Sequence, residues 1–176
     1  MDNCPEVYLC DPEKNTACPK TSCFMNGGPC YLTSRRECQV RLKVMLDKNA
    51  FPPTRAHPDD AGLDIYSTVD RWVYADSIET IDTGVHVAIP RGFVGMLASK
   101  SGLMALGITT RGTIDSGYTG SIRAVIYNDG DESYEIRRGQ KITQLVIVPC
   151  ITPEIEIVDS LEMTERGENG FGSTGK

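Results

Sequence analysis

From Val40 onward, apolar and polar positions alternate in short runs. In the first run, apolar residues occupy every second position from Val40 to Leu46. A period of two is typical of a half-buried β-strand, because successive side chains point to opposite faces of a sheet. The other runs that predict strands are Leu63–Ser67, Trp72–Ala75, Ser77–Ile81, Gly84–Ile89, Phe93–Ala98, Ser121–Tyr127, Glu132–Arg137, Lys141–Val148 and Glu154–Val158.

Turn-forming sequences such as Pro90-Arg91-Gly92 and Asn128-Asp129-Gly130 separate these runs. Many short strands at such close intervals indicate antiparallel pairing, since parallel strands need long crossover connections. The pattern predicts a helix only for Ser101–Leu106. The sequence therefore predicts an all-β domain over residues 40–165, an antiparallel jelly roll or distorted barrel with one short helix.

The preceding segment, residues 1–39, is a Cys-rich leader without a hydrophobic period. It holds six of the seven cysteines. The inner four form a candidate tetrahedral zinc site, which would hold together a segment too small for its own core. Free thiols and disulfides are the alternatives, and the leader is also a candidate contact for an unidentified partner. The four candidate zinc ligands are Cys10, Cys18, Cys23 and Cys30.

Composition narrows the functional classes. A chain of 176 residues that is 40% hydrophobic and 24% charged fits one globular domain rather than a disordered protein. The net charge of −6 argues against nucleic acid or an anionic membrane as a partner, because both favour basic surfaces. Met1–Cys10 lacks the basic and apolar regions of a signal peptide, so we expect a cytoplasmic location.

The candidate catalytic residues lie in the segment from Arg111 to Gly120. It places one carboxylate, Asp115, and one phenol, Tyr118, among glycines and other turn-forming residues. Glycine lets a backbone approach a ligand closely, so this stretch predicts a hairpin or tight bend beside a small planar substrate. A plain surface turn is the alternative. His86 alternates with valines and is expected on the solvent face of its strand.

Residues 166–176 form a glycine-rich arm. Gly170–Gly175 spells a dinucleotide fingerprint, but no helix can follow it before Lys176. Its amides and hydroxyls can still bind phosphate oxygens, and Arg166 can add a cation. Fully extended, eleven residues reach roughly 36 Å, which is enough to close a neighbouring site as a lid. A frayed terminus is the alternative.

Five ordered blocks resemble the motifs of the trimeric dUTPase family, whose members split deoxyuridine triphosphate into the monophosphate and pyrophosphate. The resemblance covers about residues 40–176. The blocks are Ala61-Gly-Leu-Asp64-Ile, Ser99-Lys-Ser101-Gly-Leu, Gly112-Thr-Ile-Asp115-Ser-Gly-Tyr118-Thr-Gly, Gly139-Gln-Lys-Ile-Thr-Gln144-Leu and Arg166-Gly-Glu-Asn-Gly-Phe171-Gly-Ser-Thr-Gly.

The resemblance implies a role for each matching residue. Asp115 would activate the water that attacks the α-phosphorus, and Asp64 would hold a water of the Mg²⁺ carried by the triphosphate. It also implies a homotrimer with shared active sites, in a bacterial or phage-infected cell. The residues implied to bind substrate are Lys100, Ser101, Gly102, Gly112, Ile114, Tyr118, Gln144, Arg166, Phe171, Gly172, Ser173 and Thr174.

One departure and two alternative functions accompany this resemblance. Lys100 stands where the family usually has Arg, so the planar bidentate fork is lost while the charge is kept. A deaminase acting on dCTP shares the fold, but its catalytic glutamate would fall at Val125, which cannot move protons. A non-catalytic module that senses nucleotides or binds a partner is the other alternative.

Overall fold

The structure is a computed structural model, and it describes residues 41–168. Short strands and a single turn of helix account for the regular elements of this range. Their bounds are β1 Lys43–Leu46, β2 Gly62–Tyr66, β3 Arg71–Val73, β4 Ser77–Ala88, β5 Phe93–Ala98, α1 Ser101–Met104, β6 Ile108–Thr110, β7 Gly112–Ile114, β8 Ser121–Asn128, β9 Tyr134–Ile136 and β10 Lys141–Pro149.

Two four-stranded antiparallel sheets share the main core. One has the strand order β1-β4-β8-β6, the other β2-β10-β5-β7, and β3 pairs with β9 as a separate ribbon. Side chains from both large sheets meet in one buried cluster that includes Val85, Leu97, Ile122 and Leu145. A second cluster, around Val73, Ile81 and Ile126, connects the ribbon to the first sheet. The predicted all-β antiparallel fold is confirmed.

Strand β4 differs from the sequence prediction of two strands, Ser77–Ile81 and Gly84–Ile89. The chain runs through as one strand, and its pairing with β8 is irregular between Asp82 and His86. Gly84 lies at this irregularity with a φ of +63°, a conformation that side chains with a Cβ rarely adopt. The glycine therefore produces a bulge inside a continuous strand rather than a turn between two strands.

Two further predictions were wrong for the single chain. Strand β1 was predicted to be half-buried, but all four of its residues are exposed. Residues 154–158 form no strand, although Ile155 and Ile157 alternate with glutamates, and these two side chains are 91% and 94% exposed. Apolar alternation favours a strand only where a neighbouring strand supplies the hydrogen bonds, and none does so for this segment within the described range.

Within residues 41–168, no helix is both long and apolar enough to cross a membrane.

Candidate active site

The first group of predicted site residues lies on one sheet. Asp64 of β2 is opposite Gln144 of β10, which is in turn opposite Ala98 of β5. Ser99, Lys100 and the start of α1 directly follow β5. The sheet register thus gathers the first, second and fourth sequence blocks at one end of these three strands.

Asp64 is the centre of this group, and its side chain is almost inaccessible to solvent, since the residue is 4% exposed. The Lys100 Nζ lies 2.5 Å from its Oδ1, and the Lys141 Nζ lies 2.7 Å from its Oδ2. Burial raises the pKa of Asp64, but the hydrogen bonds from Lys100 and Lys141 outweigh burial, so the pKa lies below its ordinary value. The same contact raises the pKa of Lys141. Asp64 and Lys141 are therefore both stabilised in their charged forms.

Gln144 is held in a defined orientation beside this carboxylate. Its Nε2 donates to the Ser99 carbonyl at 3.2 Å. A Cβ added at Gly62 would lie only 2.3 Å from the Gln144 Oε1, so a larger residue there would displace the Gln144 amide from this orientation. Ser101 and Gly102 are exposed at the start of α1. Polar groups suited to phosphate oxygens therefore surround a buried, charge-paired acid.

The Asp115–Gly120 loop forms the second group. It connects β7 in one sheet to β8 in the other, so the predicted bend is a passage between sheets and not a hairpin of paired strands. Ile114 anchors its start in the core, while Asp115 is exposed. The Tyr118 hydroxyl donates to the Ser121 carbonyl at 2.9 Å. Its ring lies against Gly120, where a Cβ would approach the hydroxyl oxygen to 2.4 Å. Tyr118 thus has a fixed position beside Asp115.

The two groups do not meet within one chain. Gly95 is opposite Ile114 and Leu97 is opposite Gly112, so the position opposite Ala98 on β7 would precede Asp115 by four residues. At about 3.3 Å a residue, Asp115 lies roughly 13 Å along the strand direction from the row that contains Asp64. A single chain therefore places the two predicted carboxylates, the buried Asp64 and the exposed Asp115, at separate sites.

His86 fixes the Asp115 loop from behind, contrary to the expectation of a solvent-facing residue. Its side chain is only 18% exposed, with Nδ1 2.9 Å from the Thr119 carbonyl and Nε2 3.3 Å from an Asp47 carboxylate oxygen. The hydrogen bond to Thr119 and the carboxylates of Asp47 and Asp82 raise the pKa of His86. The imidazole of His86 on β4 therefore connects the residue that follows β1, Asp47, with the Asp115–Gly120 loop.

This contact predicts a pH dependence of stability. Because the pKa of His86 is raised by folding, its contribution is complete below the unfolded value of about 6.5 and is lost as pH rises through the folded value. His86→Gln keeps a donor for Thr119 without titrating. We expect the melting temperature of the wild type to exceed that of His86→Gln by more near pH 6 than near pH 9, as measured by differential scanning calorimetry. An equal difference at both pH values would contradict this role.

The remaining predicted site residues lie at or beyond the end of the described range. Arg166 is exposed. Phe171, Gly172, Ser173 and Thr174 lie outside the described residues, and so do the cysteines of the leader. Among residues 41–168 no group of three or more His, Cys, Asp or Glu side chains is arranged to hold a metal ion.

The sequence prediction of the site omitted Lys141. It lies three positions before Gln144, and in a regular strand an odd separation places two side chains on opposite faces. The pairing of β10 with β2 shifts between Lys141 and Thr143, which turns the lysine towards Asp64. Only the structure shows this shift, since no glycine or proline marks it in the sequence.

Comparison with known proteins identifies the family to which this chain and its fold belong. A model of the dUTPase family matches residues 48–175. The deoxyuridine 5′-triphosphate nucleotidohydrolase of Clostridium tetani is 38% identical over 143 residues, covering 78% of this chain and 99% of the relative. The structure resembles that of the Staphylococcus bacteriophage 80alpha dUTPase with dUPNHPP, with a TM-score of 0.73, 37% identity, and coverage of 78% of this chain and 100% of that one.

A mutant dUTPase from phage phi11 of S. aureus is similar as well, with a TM-score of 0.65, 33% identity, and coverage of 70% of this chain and 100% of that chain. That structure reveals the coordination of a structural Mg(II) ion. The all-β fold and the ordered blocks thus define a hydrolase of deoxynucleoside triphosphates, and the chain belongs to the dUTPase family. It is an enzyme whose small-molecule substrate is dUTP.

Proposed function

We propose that the chain hydrolyses dUTP to dUMP and pyrophosphate through a water activated by Asp115. The carboxylate accepts a proton as the water oxygen bonds to the α-phosphorus, and the bond from that phosphorus to the bridging oxygen of the leaving pyrophosphate breaks. The exposed position of Asp115 on a loop fixed by Ile114, Tyr118 and His86 is the observation that supports this assignment most directly.

The same loop accounts for recognition of a deoxynucleoside. Tyr118 is hydrogen-bonded through its hydroxyl, so its ring face is available to pack against a deoxyribose and to exclude a 2′-hydroxyl by shape. Gly112 and Ile114 flank the loop start and would contribute main-chain groups to the uracil edge. Gly112 packs against Leu97, where an added Cβ would lie 3.3 Å from that side chain. We infer that backbone atoms, rather than side chains, read the base.

The Asp64 group would bind the triphosphate. Lys100 supplies positive charge, and Ser101, Gly102 and Gln144 supply hydrogen-bonding groups at one end of β2, β10 and β5. A magnesium ion that arrives with the substrate would suit this group. Because such an ion is coordinated mainly by phosphate oxygens and waters, one protein carboxylate is enough to hold it. Bound in that way it would offset the phosphate charge, while Asp64 holds one of its waters. Arg166, Ser173 and Thr174 would bind the terminal phosphate, and Phe171 would stack on the base.

We propose further that the active site forms between subunits of a homotrimer. The separation of Asp115 from Asp64 in one chain supports this assembly, because the loop of one subunit can then reach the phosphate-binding group of another. The exposed apolar side chains after β10, including Ile155, Ile157 and Leu161, supply a surface that a single chain leaves in water.

An apolar groove provides a surface that such a segment fits. It has a volume of about 540 Å³ and lies between β1 and the adjacent ends of β5 and β10. Its walls include Leu42, Val44, Leu63, Phe93 and Ile147. An extended segment from another subunit would bury these side chains and pair with the exposed β1, as strand addition to a sheet edge does elsewhere.

The substrate assignment is tested by pyrophosphate release from dUTP, UTP, dTTP and dCTP, with and without Mg²⁺. We expect turnover of dUTP at least a hundred-fold faster than that of UTP, since the hydroxyl would collide with the Tyr118 ring, and a large loss without the metal. Ammonia release from dCTP, or nucleotide binding with no turnover, would replace this proposal with a deaminase or a binding module.

The Cys-rich leader remains a separate proposal. Zinc held by Cys10, Cys18, Cys23 and Cys30 would add one metal ion per chain, a stoichiometry that native mass spectrometry measures directly. Metal-free protein with reduced thiols would reject the zinc site and leave a partner-binding role for residues 1–39.

A further inference from the structure

We propose that Lys100 and Lys141 close Asp64 to divalent cations in the free protein, and that the phosphates of an incoming nucleotide open it by drawing these ammonium groups away. This inference rests on the proposed function of the Asp64 group in binding magnesium with its substrate. It assigns to Lys141 a role in positioning the carboxylate, which the sequence blocks alone do not give.

In the free protein, both carboxylate oxygens of Asp64 already accept hydrogen bonds. Each Asp64 oxygen has its own lysine, at 2.5 Å and 2.7 Å. The residue is 4% exposed, so water does not reach it freely. A cation that approached would have to displace an ammonium group from a strong charge-assisted hydrogen bond.

The local charge balance acts in the same direction. Two ammonium groups are in direct contact with one carboxylate, so these nearest charges repel a further double positive charge at short range. The next carboxylate, that of Asp60, has only a minor effect on Lys141. Neither the rest of the sheet edge nor the start of α1 supplies a compensating cluster of acidic ligands within the described range. We infer that the free chain binds Mg²⁺ very weakly at Asp64.

A triphosphate reverses this balance. The Lys100 and Lys141 side chains are 29% and 43% exposed, so each ammonium group is held by Asp64 yet borders solvent. Lysine carries a point charge on a flexible stem and can exchange one oxygen partner for another, whereas an arginine fork would keep both carboxylate oxygens engaged. Phosphate oxygens can therefore accept the hydrogen bonds of one or both lysines. Asp64 is then free to hold a water of the Mg²⁺ that arrives with the nucleotide. Nucleotide and metal then bind together rather than metal first.

Binding of Mn²⁺, followed by the electron paramagnetic resonance signal of the free ion, tests this inference on the full-length chain without turnover. We expect wild type to leave Mn²⁺ free in the absence of nucleotide and to retain it when dUpNHpp is added. Lys141→Met removes one ammonium group but keeps a long apolar side chain, and it should raise the affinity for Mn²⁺ without nucleotide by roughly ten-fold. Lys141→Arg restores the charge and, like wild type, should leave Mn²⁺ free in the absence of nucleotide. Lys48→Met, at an exposed lysine outside the group, should behave like wild type with and without nucleotide.

The outcomes separate this inference from the proposed function. Equal Mn²⁺ affinities for wild type and Lys141→Met, or tight Mn²⁺ binding by the free wild type, would overturn it even if wild type hydrolyses dUTP. A ten-fold gain in Lys141→Met would support it whatever the rate of hydrolysis. Lys141→Gln provides the same comparison with a different neutral side chain if the methionine variant does not fold, and a gain in either variant supports the closed state.

Discussion

Asp115→Asn is expected to lower the turnover of dUTP by about 10²- to 10⁴-fold, the usual contribution of a positioned general base. Asparagine keeps the size of the side chain and its hydrogen-bonding reach, but its amide cannot accept the proton of the attacking water. The loop should keep its structure, because its hydrogen bonds run through the Tyr118 hydroxyl and the Asp115 carbonyl rather than the carboxylate. Stopped-flow measurement of proton release gives the rate.

The control for this experiment is Asp131→Asn, which removes the same charge from another exposed turn. Binding of dUpNHpp to Asp115→Asn, measured by calorimetry, should stay within a few-fold of wild type, since the lost interaction belongs to the transition state. Full turnover by Asp115→Asn would show that another group activates the water.

Ile157→Asp is expected to dissociate the assembly and to remove most of the activity at micromolar concentrations. An isoleucine buried at an interface contributes about 2 kcal/mol, and an aspartate in its place adds the cost of an unpaired buried charge. Because a trimer contains three copies of the substitution, the loss of association free energy occurs at all three interfaces. Light scattering should report the 19.3 kDa mass of one chain instead of three times that mass.

Ser160→Asp is the matched control, because it adds the same charge to the same exposed segment without removing apolar surface. It should retain the mass and the turnover of wild type. If Ile157→Asp kept the trimer mass, the segment after β10 would not be the part that joins subunits.

The sequence predicted those parts of the fold whose hydrophobic pattern has its partner in the same chain. In β8, alternate side chains from Ile122 to Asn128 are buried as the pattern indicates. The pattern of Ile155 and Ile157 is equally regular but forms no strand, because no strand of the described range pairs with it. In the proposed trimer, a neighbouring subunit would supply that partner and would also cover the exposed strand β1.

For the candidate site, the sequence predicts a set of residues but not their spatial arrangement. The blocks around Asp64 and Gln144 are brought together by antiparallel pairing. The contact between Asp64 and Lys141 depends on a register shift that only pairing reveals. The tethering of the Asp115 loop by His86 likewise depends on the bulge at Gly84, which changes the register of β4 against β8 before His86.

The shared active site is tested most directly by mixing two inactive variants. Asp64→Asn and Asp115→Asn, co-expressed in equal amounts, should form mixed trimers in which an intact Asp64 from one chain faces an intact Asp115 from another. Random assortment makes about a quarter of the sites complete, so we predict recovery of roughly a quarter of wild-type turnover from two proteins that are each nearly inactive. If mixed trimers form but turnover stays at the average of the two variants, the two carboxylates do not serve one site between subunits.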